Sequence, residues 1–179
     1  VELEDEVLPV ENLILAAGHN SSSLGLPGMR LPLYPLKGYS LSVPIGEHHC
    51  APKISVTDYD RRTVYARIGE QLRIAAMVDM VGFNSSPEPK RLAVVKRLAR
   101  QTFPMAGNYD AAVEWAGMRP ATPTGLPLIG ASSYRNLWLN LGHGALGFTL
   151  ACASGQLLAE MIAERPTSID AHVFLPRAA

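Results

Sequence analysis

Leu137-Trp138-Leu139-Asn140-Leu141-Gly142-His143-Gly144-Ala145-Leu146-Gly147-Phe148-Thr149 decides how this sequence is read. Five residues of strand character run into a glycine turn, and a helical pattern opens at Gly147 and lasts to about Glu164, where Arg165-Pro166 closes it. Gly142, Gly144 and Gly147 make a literal G-x-G-x-x-G, the spacing that lets a pyrophosphate meet a helix N-terminus. A dinucleotide-binding unit also needs a further strand with a ribose-binding acid and another crossover. The fourteen residues after Arg165 can supply one strand, Ala171 to Leu175, but not a mononucleotide-binding half. The pyrophosphate reading is set aside, and its physics stays: backbone N–H groups and a positive dipole end are presented at this turn. An esterase-type oxyanion loop would need a G-x-S-x-G elbow, which the sequence lacks. His143 reads first as a positioning or core histidine in a tight turn.

Outward from that stretch, Gly147, Ala151, Gly155 and Ala159 recur every fourth position. Such a ridge without bulk lets the helix lie close to whatever it packs on, at roughly 1 kcal/mol for each interior Gly relative to Ala. Cys152 among them reads as a packed small hydrophobe. Upstream, Leu126–Ile129 is a short strand preceded by the turn Thr122-Pro123-Thr124-Gly125, and Glu114 to Arg119 is a strand ending at Pro120. Leu13 to Gly18 is a short apolar run ending in Gly, the pattern of a buried parallel strand. After the loop Asn20–Ser23, the prolines of Leu31–Ile45 predict an edge strand or one beginning after Pro35. Ile54–Met80 predicts an antiparallel meander with turns at Asp60-Arg61-Arg62 and Gly69-Glu70. Ser86-Pro87-Glu88 predicts a helix start, with Ser86 as N-cap. The amphipathic helix that follows runs to about Phe103, with Leu92, Val95, Leu98 and Ala99 on one face and a basic, solvated exterior.

Composition excludes several classes. Sixteen basic residues balance sixteen acidic ones, so nothing drives the chain electrostatically toward nucleic acid or anionic lipid. The most apolar stretch, Ala145–Ala163, is broken by Thr149, Ser154, Gln156 and Glu160, and no transmembrane helix is expected. Cys50 and Cys152 lack the spacing of a disulfide framework or a zinc site, and His48-His49-Cys50 points its ligands apart, so no metal is expected. The sequence begins at Val1 with neither a basic nor an apolar leader pattern, and is expected to be a piece of a longer protein.

Three stretches in order, Lys37-Gly38-Tyr39-Ser40, Gly117-Met118-Arg119-Pro120-Ala121-Thr122-Pro123-Thr124-Gly125-Leu126-Pro127-Leu128-Ile129-Gly130, and Leu139 to Thr149, carry a resemblance. The chain is similar to the FAD-dependent D-amino-acid oxidase superfamily, on its bacterial D-amino-acid dehydrogenase (small-subunit) branch, from about Asn12 to Ile162. It departs from that pattern at Thr124, where Asp is usual, and at Ala75-Ala76, where a glycine pair is common. Those departures bear on substrate range more than on cofactor class.

The resemblance implies an α+β chain. Residues 1–32 would be a remnant of an FAD-binding domain, 33–121 a mainly antiparallel or mixed substrate-binding sheet with one amphipathic helix, and 122–179 the C-terminal strand-helix part of the FAD-binding domain. The chain would then be the C-terminal half of an enzyme, and the N-terminal half its partner. FAD would be the cofactor, bound in the complete protein and not tightly by these residues alone. A D-amino acid would be oxidised by hydride transfer from Cα to flavin N5 and the imino product hydrolysed, with the electrons passing to an acceptor such as a quinone. No protein acid or base is required if the amine arrives neutral, so the protein's task is orientation and charge stabilisation.

On this resemblance Arg119 holds the substrate carboxylate through its bidentate fork, with Tyr39 and Tyr65 beside the substrate. Gly18, Lys37, Gly38, Gly142, His143, Gly144, Gly147, Phe148 and Thr149 line the flavin. Read as residues alone, Arg119 could instead pair with Glu114, Lys37 and Tyr39 could be an ordinary strand, and Tyr65 and Arg67 could be core and surface. Two other functions stay open: an oxidoreductase of the same superfamily acting on glycine, sarcosine or another secondary amine, and a non-catalytic binding or assembly module. The expected location is the cytoplasm, with the parent protein peripheral on the inner face of a bacterial membrane as a further expectation.

Overall fold

Alternating apolar residues from Tyr34 onward and the glycine-punctuated C-terminal third fold as separate sheets. The computed structural model describes residues 1, 2 and 4–176. Its strands are β1 (Leu13–Leu15), β2 (Tyr34–Pro44), β3 (Val56–Asp58), β4 (Thr63–Ile68), β5 (Gln71–Asp79), β6 (Val113–Ala121), β7 (Leu128–Ala131) and β8 (Leu137–Leu141). Its α-helices are α1 (Pro89–Thr102) and α2 (Gly147–Ile162). The chain divides into two compact units: Leu36–Met118, and Val1–Pro35 together with the residues from Arg119 onward. The fold class is α+β, as the sequence led us to expect.

In the Leu36–Met118 unit the sheet order is β3-β4-β5-β2-β6, and β3, β4, β5 and β2 pair antiparallel in turn. The expected meander is present. Leu41, Val43, Tyr65, Leu72 and Ile74 share one enclosed core with Leu92, Val95 and Ala99 of α1. β2 is an interior strand, not the edge its prolines predicted. Pro35 and Pro44 fall at its two ends, so neither removes a donor from the middle of a ladder, and the Pro44 carbonyl accepts Asn108 N–H at 2.8 Å. α1 starts three residues later than its expected cap, with Glu88 as N-cap and Pro89 at the first turn. A residue before proline is pushed out of the helical region, and Glu88 has φ −96°, ψ 110°.

In the other unit β1 pairs parallel with β8, Leu13 opposite Leu137 and Leu15 opposite Leu139, and β7 pairs antiparallel with β8. β1 is parallel as predicted, but only Leu15 is buried. One cluster joins Leu15, Leu137, Leu139 and Leu141 to Leu31 and Leu33, and a second joins Ile129 to Leu157 and Leu158 of α2. β6 passes through Pro120 to Ala121 instead of stopping before it, which an edge strand tolerates because no partner asks for that N–H. Asn20–Ser23 lies within a 3-10 turn, Gly18–Leu24, and the expected strand at Ala171–Leu175 is a short 3-10 turn at His172–Phe174.

The ridge of α2 also differs from expectation. Ala151, Gly155 and Ala159 are exposed, as is Cys152, because α2 turns Ser154, Leu157 and Leu158 to the sheet instead. Counted with the turn before it, Gly144–Ile162 is long and apolar enough to cross a membrane by length and composition.

Candidate functional site

The glycine turn is built by backbone conformation. Gly142 has φ +83° and Gly144 φ +57°, the left-handed region that a Cβ disfavours. A Cβ on Gly142 would lie 2.6 Å from Thr122 Cγ2 and 3.3 Å from Leu33 Cδ2, so the absence of a side chain lets β8 run close past the end of β6. Thr122 stands three residues after Arg119, which places the Arg119 backbone within about 10 Å of the Thr122–Gly142 contact. Arg119 and the glycine turn therefore belong to one unit, with Thr122, three residues after Arg119, packed close to Gly142.

Beyond Gly142, the space where a Cβ of Gly144 would sit is open to 4 Å. His143 begins the 3-10 turn Gly144–Leu146 that leads into α2, with its carbonyl accepting Leu146 N–H at 3.0 Å. Its Nε2 is buried without a hydrogen-bond partner among the described residues, as is Asn140 Oδ1 on β8. Burial pushes the His143 pKa below its ordinary value, so the ring is neutral at pH 7 and offers a hydrogen-bonding nitrogen, not a cation. Phe148 is 99% exposed and Thr149 is exposed on the first turn of α2. Gly18 opens the 3-10 turn after β1 with φ +58°.

Arg119 is half-buried on β6, and burial pushes its guanidinium pKa down. A partly dehydrated guanidinium gains more from a carboxylate than one in bulk water. Glu114, the acid weighed as its structural partner, pairs with Lys96 at 3.2 Å. The turn after β6 is closed by Thr122 Oγ1 donating to the Leu126 carbonyl at 2.7 Å and Thr124 Oγ1 accepting Leu126 N–H at 3.3 Å. Thr124 thus does what an Asp at this position would do as an acceptor, without its charge. The turn also lines a cleft of about 430 Å³ with Met29, Leu31, Pro32 and Leu139.

The remaining predicted residues lie in the Leu36–Met118 unit. Lys37 is 3% exposed, with Nζ 5.5 Å from the centre of the Tyr39 ring, a cation–π distance. Gly38 is buried opposite Val78 and Tyr39 stands opposite Ala76, so Met77 between those partners is the extra residue of a bulge, with φ +61°. Tyr39 Oη donates to Asp79 Oδ2 at 2.8 Å, and Arg91 Nε donates to the same oxygen at 3.0 Å. Burial first, then Asp79, pushes the Tyr39 pKa up to about 12, while Arg91 holds Asp79 below its usual range. Tyr65 is wholly enclosed, its ring edge-on to Phe103 at 5.0 Å and its hydroxyl unpartnered among the described residues. Arg67 sits at the hairpin turn, donating to the Gly69 carbonyl. The sequence reading missed Asp79 and Arg91: nothing in their spacing shows that a strand end and a helix start meet there. His49 Nδ1 is engaged by Gly46 N–H, and no cluster able to hold a metal occurs among the described residues.

A family model described as FAD dependent oxidoreductase (DAO) matches residues 2–161. The chain is 65% identical over 179 residues to D-amino acid dehydrogenase 2 of Pseudomonas aeruginosa, covering all of this chain and 43% of that protein. It is 45% identical over 167 residues to D-amino acid dehydrogenase of Paramagnetospirillum magneticum, covering 93% of this chain and 40% of the relative. The chain thus spans less than half the length of these relatives. Among solved structures, iminodiacetate oxidase from Chelativorans sp. BNC1 superposes with a TM-score of 0.83 at 21% identity, over 97% of this chain and 48% of that one. Glycine oxidase from Geobacillus kaustophilus superposes at 0.79 and 24% identity, over 94% and 46%. These two likenesses establish the fold.

Proposed function

The chain belongs to the family of FAD-dependent oxidoreductases, and from that premise we propose that it forms the C-terminal, substrate-holding and flavin-covering portion of a D-amino acid dehydrogenase. The substrate class follows the relative to which it is 65% identical. The observation that carries the site is the close approach of Gly142 to Thr122, which fixes the strand bearing Arg119 against the glycine turn.

The residues present fit a flavin edge. His143 Nε2 and Asn140 Oδ1 are buried polar atoms awaiting partners, and Gly144 leaves room for a ring to approach the backbone. Gly142, His143, Gly144, Gly147, Phe148 and Thr149 would hold it, with Gly18. Bound FAD would supply the acceptor for the two electrons and hydrogen leaving the substrate.

The chain's own groups bind and orient. Arg119 holds the substrate carboxylate through the planar fork of its guanidinium, a bidentate, charge-assisted pair. Backbone N–H groups at the start of α2 face developing negative charge without having to reorganise. Neutral His143 supplies a fixed hydrogen-bonding nitrogen. Tyr39 keeps its proton, with a pKa of about 12 and Asp79 as acceptor, so it is not a base. Tyr65 packs in the same core as Tyr39. The electrons leave to an acceptor of the quinone type on the cytoplasmic face of the membrane.

The test is turnover by the complete enzyme, assembled from this chain and the remainder of the fold, on D-alanine, D-proline, glycine and sarcosine. D-amino acids are expected to be preferred. Arg119→Ala is expected to lower kcat/KM by roughly 10- to 150-fold, the 1.5–3 kcal/mol of a hydrogen bond to a charged group, with bound flavin retained. Preference for glycine or sarcosine, or unchanged turnover in Arg119→Ala, would reject the assignment. The isolated chain is expected to show no tight FAD complex by isothermal titration.

A further inference from the structure

We propose that Trp115 determines which D-amino acids are accepted: its indole is the wall that meets the substrate side chain and confines it to short apolar groups. This rests on Arg119 holding the substrate carboxylate, the reading proposed for the site.

The five-stranded sheet has two faces of opposite character. Leu41, Val43, Leu72, Ile74 and Ala116 belong to the core shared with α1. Side chains alternate along a strand, so Ser40, Ser42, Arg73, Ala75, Trp115 and Gly117 point the other way. Ser40 stands opposite Ala75, and Ser42 opposite Arg73. By the same alternation along β6, Arg119 is the next residue after Gly117 on this second face. Tyr39 and Tyr65 are on the α1 side, so they leave the second face to other residues.

Trp115 is 53% exposed, yet its ring is held. It folds along the strand onto Gly117, where a Cβ would overlap Cη2 and Cζ2 and lie 2.8 Å from Cζ3. Only the lack of a side chain at Gly117 gives the ring this seat. From β5, the Arg73 guanidinium carbon is 5.5 Å from the ring centre, a cation–π distance, and Arg73 Nη1 donates to Ser42 Oγ at 3.4 Å. A large aromatic body fixed from two sides and left half uncovered is suited to line a ligand. Ser40 Oγ on the same face is buried with no partner among the described residues, and buried polar groups are almost always paired. Ala75, where the family pattern has glycine, adds a methyl group to the same face.

Direction along β6 decides what the ring meets. Beyond Arg119 the strand leads to Thr122, packed close to Gly142 of the glycine turn; the reacting carbon of the substrate belongs on that side. The other way, the next position on the same face is Gly117, about 7 Å off at the rise of a strand, and the indole occupies it. A substrate held by its carboxylate, with its reacting carbon toward the turn, therefore has the indole as neighbour of its side chain. A methyl or isopropyl group fits short of the ring, whereas a benzyl group has to displace it.

The experiment measures kcat/KM of the complete enzyme, assembled from this chain and the remainder of the fold, for D-alanine, D-valine and D-phenylalanine. D-alanine and D-valine are expected to be favoured. Trp115→Ala is expected to raise the ratio of D-phenylalanine to D-alanine roughly tenfold, the scale on which a pocket discriminates apolar groups by size. Trp115→Phe, a smaller ring on the same seat, is expected to raise it by less. Isothermal titration supplies a readout free of turnover: phenylacetate and propionate have no amine to be oxidised, and Trp115→Ala is expected to tighten phenylacetate relative to propionate by about the same factor. A loss of kcat/KM by one common factor for all three substrates, as from a purely structural role, or a phenylacetate-to-propionate ratio that does not move, would overturn the proposal. Should Trp115→Ala misfold, Trp115→Phe decides by the same two ratios. The two readings fail separately. Unchanged turnover in Arg119→Ala with a shifted ratio in Trp115→Ala defeats the carboxylate assignment and keeps the wall; lost turnover in Arg119→Ala with unmoved ratios does the reverse.

Discussion

In the Leu36–Met118 unit Leu41, Val43, Leu72 and Ile74 of the sheet and Leu92 of α1 are fully enclosed, and ion pairs lie outside them: Lys96 with Glu114, Arg100 with Asp110, Arg91 with Asp79. The glycine-turn unit is built otherwise. Its core is divided into two small clusters, its principal helix shows an apolar side to solvent, and Ser21, Asn140 and His143 hold buried polar atoms that nothing described satisfies, as Ser40 and Tyr65 do in the first unit. Buried polar groups are almost always paired and apolar helix faces almost always covered. Unsatisfied buried atoms therefore occur in both units; what sets the second apart is its divided core and the apolar helix side in solvent, and the glycine turn lies in it.

The largest test of that contrast is a pair of core truncations. Leu41→Ala opens a cavity in a core packed from every side and is expected to cost about 3–5 kcal/mol, the upper range for such changes. Leu157→Ala, in a cluster where, among the described residues, Ile129 and Leu158 are the buried neighbours, can collapse or admit water and is expected to cost about 2–3 kcal/mol. Denaturant unfolding followed by amide exchange within each unit measures both. Equal losses would show that the two cores are equally complete.

Next in size is Asp79→Asn, which removes the Arg91 ion pair and leaves Tyr39 a weaker acceptor, at about 1–3 kcal/mol. Because Arg91 depresses the folded Asp79 pKa, its contribution is fully present above the unfolded value of about 4 and is lost as pH falls through the depressed folded one. The Asn variant should lack that acid-dependent loss. An identical fall in melting temperature for both proteins between about pH 4.5 and about pH 2.5 would show that the pair contributes nothing.

The sequence was informative where local chemistry decides structure. The glycine spacing gave the strand–turn–helix of β8 and α2, and turn residues gave the β3–β4–β5 meander. It misled where a local rule had a second solution. Prolines in β2 looked like an edge signal but sit at the strand ends, and Ser86-Pro87 looked like a helix start until Pro89 imposed a later one. The small residues of α2 were read as its packed side, yet periodicity alone cannot say which of two apolar sides meets the sheet of the same chain. For the site, Arg119 and the glycine turn were visible as motifs, while Asp79 and Arg91 were not, since twelve residues and a change of element separate them. The family resemblance fixed the cofactor class, which neither charge nor composition carries.

The smallest expected effect sharpens the contrast from the other side. Burial depresses the His143 pKa, so between about 6.5 and the depressed value the unfolded chain binds a proton that the folded chain does not. Stability therefore rises with pH through this window, and is lost as pH falls until the folded ring also titrates. Melting temperatures at about pH 7.5 and about pH 5.5 should differ more for the wild type than for His143→Asn, which keeps a polar group in place without a titrating one. The other four histidines are common to both proteins and cancel in the difference. Equal pH dependence in the two would mean that the ring reaches water or a partner, and that the glycine-turn unit is less short of neighbours than its unpaired atoms indicate.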